Sequence, residues 1–244
     1  MTFFNGFPET LYKFGNETFQ NSFQNISVYV DILERVKENS LLYMKYNIIG
    51  GERPDQISQK LYGVADYYWT FYLMNENIKL KGWPLHDDEL NILLNEKFPN
   101  TVVVTRDYFY DKFSVGDSIT TVRSDPNDDV TAKIIHTNSN LGQFVIEGNV
   151  TINAGETVAK VGSLGQNVTV FSSGSEVNAT RYYEDDTGIV DIDPTIGPGA
   201  QVTEVTNKDF YFVENENLKS IKVIKPSAVV SIFNAYKSGL RENA

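Results

Sequence analysis

Few side chains in this sequence have the type and spacing that catalysis or metal binding requires. The 244 residues contain no cysteine, and the two histidines, His86 and His136, lie far apart in the chain. Zinc sites are built from closely spaced Cys and His ligands, so neither histidine has the partners that zinc needs. The lack of cysteine also excludes a disulfide framework. We therefore expect no metal and no cofactor, and we place both histidines on the surface.

Acidic residues are the remaining candidates for a cation site. They are concentrated at residues 125–129 and 184–186, and Asp191 and Asp193 follow the second group. An EF-hand loop needs an acid at its closing position, and neither group provides one. A glycosidase needs two carboxylates on either side of a cleft, and nothing in the sequence places two of these acids in that way. We interpret both groups as solvated turns.

The sequence also lacks the short motifs by which many enzymes are recognised. Nucleophile-elbow, P-loop and dinucleotide-binding patterns are absent, so we predict that the protein is not an enzyme. The formal net charge of −11 repels nucleic acid phosphates, which argues against DNA or RNA as a partner. No apolar run reaches the length of a membrane span, and the amino-terminal stretch does not have the pattern of a signal peptide.

The clearest local signals lie in residues 46–85, YNIIGGERPDQISQKLYGVADYYWTFYLMNENIKLKGWPL. A short apolar strand is predicted at residues 46–49. Pro54 suits the first position of a helix, and Gly63 can supply the left-handed residue that ends it. Asp66 is predicted to be the N-cap of a second helix. The order is therefore strand, turn, helix, turn, helix.

The second of these helices is apolar on all sides, so one covering surface cannot bury it. One arc, which we assign to the core of the module, consists of Tyr68, Phe71, Tyr72 and Asn75. Trp69 and Leu73 are four residues apart on a different arc and need a second covering surface. A module of this size buries too little surface to be stable alone. We therefore expect it to be embedded among neighbouring proteins, with Trp69 and Leu73 at an interface.

Residues 1–25 carry seven large aromatic side chains separated by small and polar residues. No helical or strand period holds for long, so the segment cannot fold alone, yet it is too apolar for a solvated tail. We interpret it as an arm that lies either on its own domain or on another subunit, and the sequence leaves both options open. A short helix is predicted to follow, at DILERVKEN. The interface candidates in the arm are Phe3, Phe4, Phe7, Tyr12 and Phe14.

A further helix and a strand are predicted before a region of β texture. HDDELNILLNEKFPN predicts a helix with acids in its first turn, and residues 101–104 are the predicted closing strand of the module. Residues 106–177 contain short alternating runs separated by Gly, Asn, Asp and Pro, which is typical of a small antiparallel barrel or sandwich. These runs are residues 113–115, 118–122, 131–135, 142–146, 156–161 and 167–171.

The carboxy-terminal part predicts a hairpin with its turn at residues 185–188, an extended segment at residues 220–224, and a helix that begins at Pro226. Apolar residues follow at helical spacing in that helix. Its interface candidates are Ile232, Phe233 and Tyr236.

The order of elements in residues 46–78 resembles a LysM module. The residues that carry this resemblance are Gly51, Glu52, Ile57, Leu61, Tyr62, Gly63, Tyr68, Phe71 and residues 75–78. The longer string GERPDQIS, KLYG, YYWTF, LMNE and GWPL resembles the baseplate wedge subunit of T-even-like contractile-tailed phages, a small protein that carries a LysM-like domain and joins neighbouring wedges. Flanking pieces (DILERVKEN, VTN, NEN and IKVIKP) extend the resemblance to about residues 1–104 and 181–240.

The resemblance and the β texture of residues 106–177 together predict an α+β fold: a LysM-like β-α-α module with an N-terminal arm, an inserted small antiparallel β-barrel or sandwich domain, and a C-terminal helix. The predicted domains are 1–45 for the arm and short helix, 46–104 for the LysM-like module, 105–180 for the inserted β-domain, and 181–244 for the C-terminal hairpin, strand and helix.

The resemblance further implies a structural protein of the virion, located in the tail baseplate and assembled in the host cytoplasm. Such a protein would act as an adaptor in a hetero-oligomeric assembly, with neither nucleic acid nor membrane as a partner. The implied partners are other baseplate wedge proteins, namely the core wedge dimer and the sheath-initiating subunit, with the central hub as a further one.

Two alternatives remain open at the level of sequence. In the first, the protein is a peptidoglycan-binding LysM protein, and its ligand contacts residues 51–55 and 77–83. Trp83 would be the stacking platform for the sugar, and it is also an interface candidate in the structural hypothesis. The helix after Trp83 departs from the LysM pattern and argues against glycan binding. In the second alternative the β-domain is a hydrolase, for which the residues give no positive evidence.

Overall fold

A computed structural model describes residues 7–16, 18–25 and 32–242 of the chain. The candidates Phe3 and Phe4 lie outside the described residues. The chain divides into two compact units: the terminal unit, Met1–His86 with Asn215–Ala244, and the barrel unit, Asp87–Glu214. The mixture of helices and strands confirms the α+β class.

The helices and strands are numbered in chain order. The helices are α1 Ile32–Glu38, α2 Pro54–Tyr62, α3 Trp69–Met74, α4 Glu76–Lys81, α5 Asp87–Lys97, α6 Asn207–Lys219 and α7 Pro226–Glu242. The strands are β1 Glu9–Tyr12, β2 Asn21–Gln24, β3 Tyr43–Asn47, β4 Thr101–Thr105, β5 Ser118–Val122, β6 Thr131–Asn138, β7 Gln143–Ile146, β8 Thr157–Lys160, β9 Ser163–Ser175, β10 Thr180–Asp185, β11 Gly188–Val190, β12 Thr203–Thr206 and β13 Ser220–Ile224.

The terminal unit contains a two-stranded antiparallel sheet of β3 and β13, in which Tyr46 is opposite Ile221. The prediction that residues 101–104 close the module is wrong, because that segment is β4 of the barrel. Local sequence could not decide between the two segments, since each is a short apolar run that suits a buried strand. Four of the five residues of β4 are buried, which fits its place in a closed barrel.

The local signals at α2 are confirmed. Pro54 is the first helical residue, and the Gln56 side chain accepts a hydrogen bond from the backbone N–H of Arg53, 3.1 Å away. Gly63 has φ 76°, and its N–H donates to the carbonyl of Gln59, so the helix ends in the left-handed residue that was predicted. The prediction for Asp66 is wrong, because this residue lies within a 3₁₀ turn that precedes α3.

Helix α3 lies between two apolar clusters of the terminal unit. Phe71 is fully buried in the first cluster, with Ile48, Ile57, Ile78, Leu218, Ile221 and Val223. Trp69 and Met74 lie in the second, with Phe7, Leu33, Val36, Ile224, Val229, Ile232, Tyr236 and Leu240. The prediction that this helix needs covering on two sides is confirmed. The second covering surface comes from this chain itself, through α1, α7 and Phe7.

The barrel unit is built around a closed six-stranded barrel in the order β4-β7-β6-β5-β8-β9, which confirms the predicted barrel. Five of its strands lie in the predicted residues 106–177, whereas β4 precedes them. Strand β4 pairs with both β7 and β9 and thereby closes it. The interior is filled by apolar side chains that include Val103, Phe144 and Ile146. Residues 113–115 form no strand, which corrects that prediction, since Phe113 instead fills the barrel core from the segment before β5.

The rest of the barrel unit comprises α5, most of α6 and a three-stranded sheet in the order β11-β10-β12. The hairpin of β10 and β11 has Asp185 opposite Gly188, as the turn residues predicted. Helices α1, α5 and α7 also confirm the sequence predictions. Helix α6 was not predicted, because its sequence NKDFYFVENENLK has no clear apolar stripe.

Candidate protein interface

The interface candidates of α3 and α7 contact one another inside the terminal unit. The ring of Trp69 lies 5.4 Å from that of Tyr236 and 5.9 Å from that of Phe233, measured between centroids. Trp69, Ile232 and Tyr236 are each less than a tenth exposed, while Leu73 and Phe233 are half-buried against the same cluster. This corrects the expectation that another protein covers Trp69 and Leu73.

Aromatic side chains at the edge of this cluster are held by hydrogen bonds as well as by packing. The Tyr62 hydroxyl donates to the carbonyl of Ile224 at 2.9 Å. Burial raises the pKa of the Tyr62 phenol above its usual range, so the group stays protonated and keeps its donor. Burial also raises the pKa of Tyr236. These contacts fix α7 and the adjoining end of β13 against α2 and α3.

The candidates of the arm have two different environments. Phe7 is buried in the cluster with Trp69, so the arm touches its own domain at this point. Tyr12 and Phe14 belong to a hairpin of β1 and β2, where they are 56% and 50% exposed. For Phe7, therefore, the intrachain option holds, whereas the hairpin presents its aromatic side chains to solvent.

The exposed apolar side chains of the hairpin form a group that we call the aromatic hairpin. Its members are Leu11, Tyr12, Phe14, Phe19 and Phe23, each more than two fifths exposed. Phe14 makes edge-to-face contacts with Tyr12 and Phe23, at centroid distances of 5.0 and 5.5 Å. Clusters of exposed aromatic residues are enriched at protein interfaces. Tyr12 and Phe14 were predicted from the sequence as interface candidates, and the pairing of β1 with β2 brings Phe23 beside them.

Trp83, the proposed sugar platform, has an internal role. Its ring lies 5.7 Å from Tyr72 and 6.2 Å from Phe71, and its indole Nε1–H donates to the carbonyl of Glu52 at 2.8 Å. The side chain is half-buried. Since its ring packs on the core and its single donor is used, Trp83 anchors the loop after α4 and does not provide the free aromatic face that the peptidoglycan alternative required.

A polar network fixes the loop between β3 and α2. The Tyr46 hydroxyl donates to Glu52 at 2.7 Å, and Lys60 donates to both groups at 3.0 and 2.9 Å. Burial alone would raise the pKa of Glu52, but hydrogen bonds from Tyr46, Lys60 and the Ile49 N–H outweigh it and lower that pKa. The network is satisfied internally, and we assign it a structural role.

Asn75 is a positioning residue whose role only the structure shows. Its side-chain amide donates to the carbonyls of Phe71 and Lys222, both at 2.8 Å, and its oxygen accepts from the Lys222 N–H at 2.7 Å. The residue is buried. Asn75 was predicted to lie in the core arc of the second helix, but the sequence did not predict its hydrogen bonds to Lys222 of β13.

The two histidines and the two acidic groups do not come together at one site in the described residues. His86 and His136 are exposed and lie in different units. Asp125, Asp185 and Asp193 each accept hydrogen bonds from the residue two positions later, as acids do in tight turns. Among residues 7–16, 18–25 and 32–242, no group of three or more His, Asp or Glu side chains could hold a metal ion.

A family model described as Base plate wedge protein 53 matches residues 14–89. The resemblance to a phage baseplate wedge protein is confirmed. The wedge-family region, as we call residues 14–89, runs from the turn of the aromatic hairpin through β2, α1, β3 and α2–α4 to the first turn of α5. No curated protein matches the chain.

The match supports a structural role in the phage tail baseplate and hence a location in the tail of the virion. A baseplate protein of this family assembles with other baseplate proteins. Strand β13 and helix α7, which complete the sheet and the second cluster of the terminal unit, lie outside the wedge-family region. Within the described part of the chain, no helix combines the length and apolar character needed to cross a membrane.

Proposed function

We propose that this protein is an adaptor of the baseplate wedge that binds other wedge subunits and helps to join wedges around the hub. The observation that carries the proposal is the aromatic hairpin, whose five large apolar side chains are exposed. Three of them, Phe14, Phe19 and Phe23, lie at the start of the wedge-family region. Burying apolar surface is the main driving force of protein association. Tyr and Phe supply much of that surface at interfaces.

The construction of the hairpin supports this role. Strands β1 and β2 pair over four residues each, and the N–H of Asn25 extends the pairing by donating to the Pro8 carbonyl at 2.7 Å. An isolated two-stranded hairpin is marginally stable in water. Its exposed aromatic side chains gain most when a second protein covers them.

The rest of the terminal unit supplies a rigid base for the hairpin. We interpret β3, α2, α3 and β13 as a LysM-like module whose second strand follows the barrel unit in the chain. Phe7 packs in its second cluster directly before β1. A docking element gains affinity when its attachment point is already ordered, because less conformational entropy is lost on binding. The proposed partners are the core wedge dimer, the sheath-initiating subunit and the central hub, and the protein would join them in the host cytoplasm before tail assembly.

The proposal is tested by co-expressing the full chain with the other wedge proteins of the same phage. In the double variant Tyr12→Ser/Phe14→Ser we expect co-purification with these proteins to fall at least tenfold, while the melting curve of the isolated chain changes little. The matched control is Ile189→Ser, which removes a 72% exposed apolar side chain from the barrel unit.

Two outcomes would count against the adaptor role. One is undiminished co-purification of the hairpin variant, which would show that the aromatic hairpin does not bind wedge proteins. The other is a failure of the unaltered chain to associate with any wedge protein, which would contradict the proposed function itself.

A further inference from the structure

A cleft on the barrel unit has features that the adaptor role does not use. Its volume is about 520 Å³, and it is lined by Tyr108, Tyr110, Ser139, Asn140, Asp191 and Pro194 among others. Three segments meet there: the one after β4, the turn between β6 and β7, and the one after β11. We propose that this cleft is a binding site for a neutral oligosaccharide. The inference does not depend on the proposed function.

Two tyrosines form the aromatic part of the cleft. Tyr108 and Tyr110 are 61% and 58% exposed, and their rings meet edge to face with centroids 4.6 Å apart. A hydrogen bond with Tyr110 raises the pKa of the Tyr108 phenol, which favours its neutral form. The apolar C–H face of a pyranose packs against an exposed aromatic face, and the phenol oxygens retain lone pairs that can accept from its hydroxyl groups.

The polar side chains of the cleft provide hydrogen-bond donors and acceptors for the hydroxyl groups of a sugar. Ser139 can donate and accept, Asn140 presents both an amide donor and a carbonyl acceptor, and Asp191 accepts through two oxygens. A donor and an acceptor side by side can hydrogen-bond to two adjacent hydroxyl groups of a sugar. The described residues that line the cleft include no lysine or arginine, so it lacks the cations that recognise phosphate or an anionic polymer. Together with the net charge of −11, this favours a neutral ligand over a nucleic acid.

The walls of the cleft are held together closely. Gly142 has φ 65°, and a Cβ atom there would lie 2.5 Å from the Thr105 carbonyl oxygen and 2.9 Å from the Pro194 Cβ. The Thr105 N–H also donates to the Gly142 carbonyl at 2.8 Å. The absence of a side chain at Gly142 thus allows the three segments to approach one another. A site formed before the ligand arrives loses little entropy on binding.

Two further contacts fix the outer segments. The Asp107 carboxylate accepts from the Thr169 N–H at 2.6 Å, which anchors the chain just before Tyr108 to β9. Asp193 accepts from the Thr195 N–H at 2.9 Å, which fixes the turn that contains Pro194. The cleft is therefore preformed, and its size is usual for a small-ligand site. Both aromatic and polar side chains line it.

The test uses the full chain and four neutral hexasaccharides: maltohexaose, cellohexaose, mannohexaose and chitohexaose. Saturation-transfer NMR and calorimetry measure binding to each. We expect at least one to bind, with saturation of its ring protons. The Tyr108→Ala and Asn140→Ala variants should each weaken that binding at least tenfold. Tyr68→Ala is the matched control, since Tyr68, which was predicted to lie in the core of the module, is instead a 41% exposed tyrosine of the terminal unit.

The replaced side chains are on the surface, so the variants should melt at the temperature of the unaltered chain, and this is measured alongside. The proposal is overturned if none of the four sugars binds. It is also overturned if a sugar binds and Tyr108→Ala leaves its affinity unchanged. Failure of either kind, with hairpin-dependent association intact, would overturn the oligosaccharide site and leave the adaptor role standing.

Discussion

Asn75 pairs with the main chain of Lys222 as a neighbouring strand would. Its amide donates to the Lys222 carbonyl at 2.8 Å and its oxygen accepts from the Lys222 N–H at 2.7 Å. The end of α3 is thereby joined to β13, a strand that follows it only after the whole barrel unit. Together with the pairing of β3 and β13, this side chain connects the wedge-family region to the carboxy-terminal part of the terminal unit.

Replacing Asn75 with alanine should destabilise the terminal unit. The change leaves buried main-chain groups of Phe71 and Lys222 without their side-chain partner, which costs about 2–3 kcal/mol of unfolding free energy. Urea denaturation followed by tryptophan fluorescence measures it, because both tryptophans lie in this unit. Gln59→Ala is the control: its exposed amide donates to the Gly63 carbonyl at 2.9 Å, and its loss should change stability by less than about 0.5 kcal/mol. Equal effects of the two changes would contradict the role assigned to Asn75.

Trp69→Ala should be more costly than loss of an exposed residue on the facing helix. Its ring is buried against Phe233 and Tyr236, and a large-to-small change in such a core costs about 3–5 kcal/mol. Val230→Ala, at a 56% exposed position of α7, should be nearly neutral. Thermal unfolding of the isolated chain compares the two. A Trp69→Ala variant that melts like the unaltered chain would mean that this ring awaits a partner protein after all.

Glu156 should contribute stability that is lost in acid. Hydrogen bonds from the Arg123 guanidinium, at 3.1 Å each, and then from Asn153 lower the pKa of Glu156 from 4.5 to about 2. Because its pKa is lower in the folded state, its stabilisation is fully present above pH 4.5 and is lost as the pH falls towards 2. The barrel unit of Glu156→Gln should therefore lose less stability than the unaltered chain across this interval.

Melting temperatures between pH 6 and pH 2 measure this difference, with Glu147→Gln as the control at an exposed carboxylate of the same unit. The acid-induced fall of the control should parallel that of the unaltered chain. If Glu156→Gln also falls in parallel, the ion pair with Arg123 does not couple to folding.

Gly142→Ala should destabilise the barrel unit more than Gly148→Ala. Both glycines have positive φ, 65° and 84°, so each change carries the cost of a side chain in the left-handed region, about 1 kcal/mol. A Cβ at Gly148 meets open space, whereas one at Gly142 meets the Thr105 carbonyl and Pro194. The overlap should add about 1–3 kcal/mol. Denaturation of the two variants isolates this difference, and equal losses would show that the segments do not meet as described.

Local features of the terminal unit followed from the sequence because the forces behind them act over a few residues. Pro54 and Gly63 mark the ends of α2 by their backbone preferences. The apolar circumference of α3 required two covering surfaces. The alternating runs after residue 106 predicted an antiparallel barrel or sandwich, because a half-buried strand has a period of two, and the tertiary structure decided for the barrel. The family resemblance followed from short sequence strings in residues 51–85, and the family match to residues 14–89 confirms it.

Only the tertiary structure decided which strand pairs with β3 and which side chains cover the apolar surfaces of α3. Residues 101–104 and 220–224 are both short apolar runs, and nothing in their composition states which one pairs with β3. The sequence indicated that Trp69 must be buried, but it did not indicate that residues of α7 bury it. Gly142, which lets the walls of the cleft on the barrel unit approach one another, was not predicted either. Sequence can indicate a glycine with positive φ in a turn, but it cannot show which distant residues lie close to it. Propensity and periodicity are properties of neighbours in the chain, whereas pairing depends on contacts between residues distant in sequence, which only the folded chain brings together.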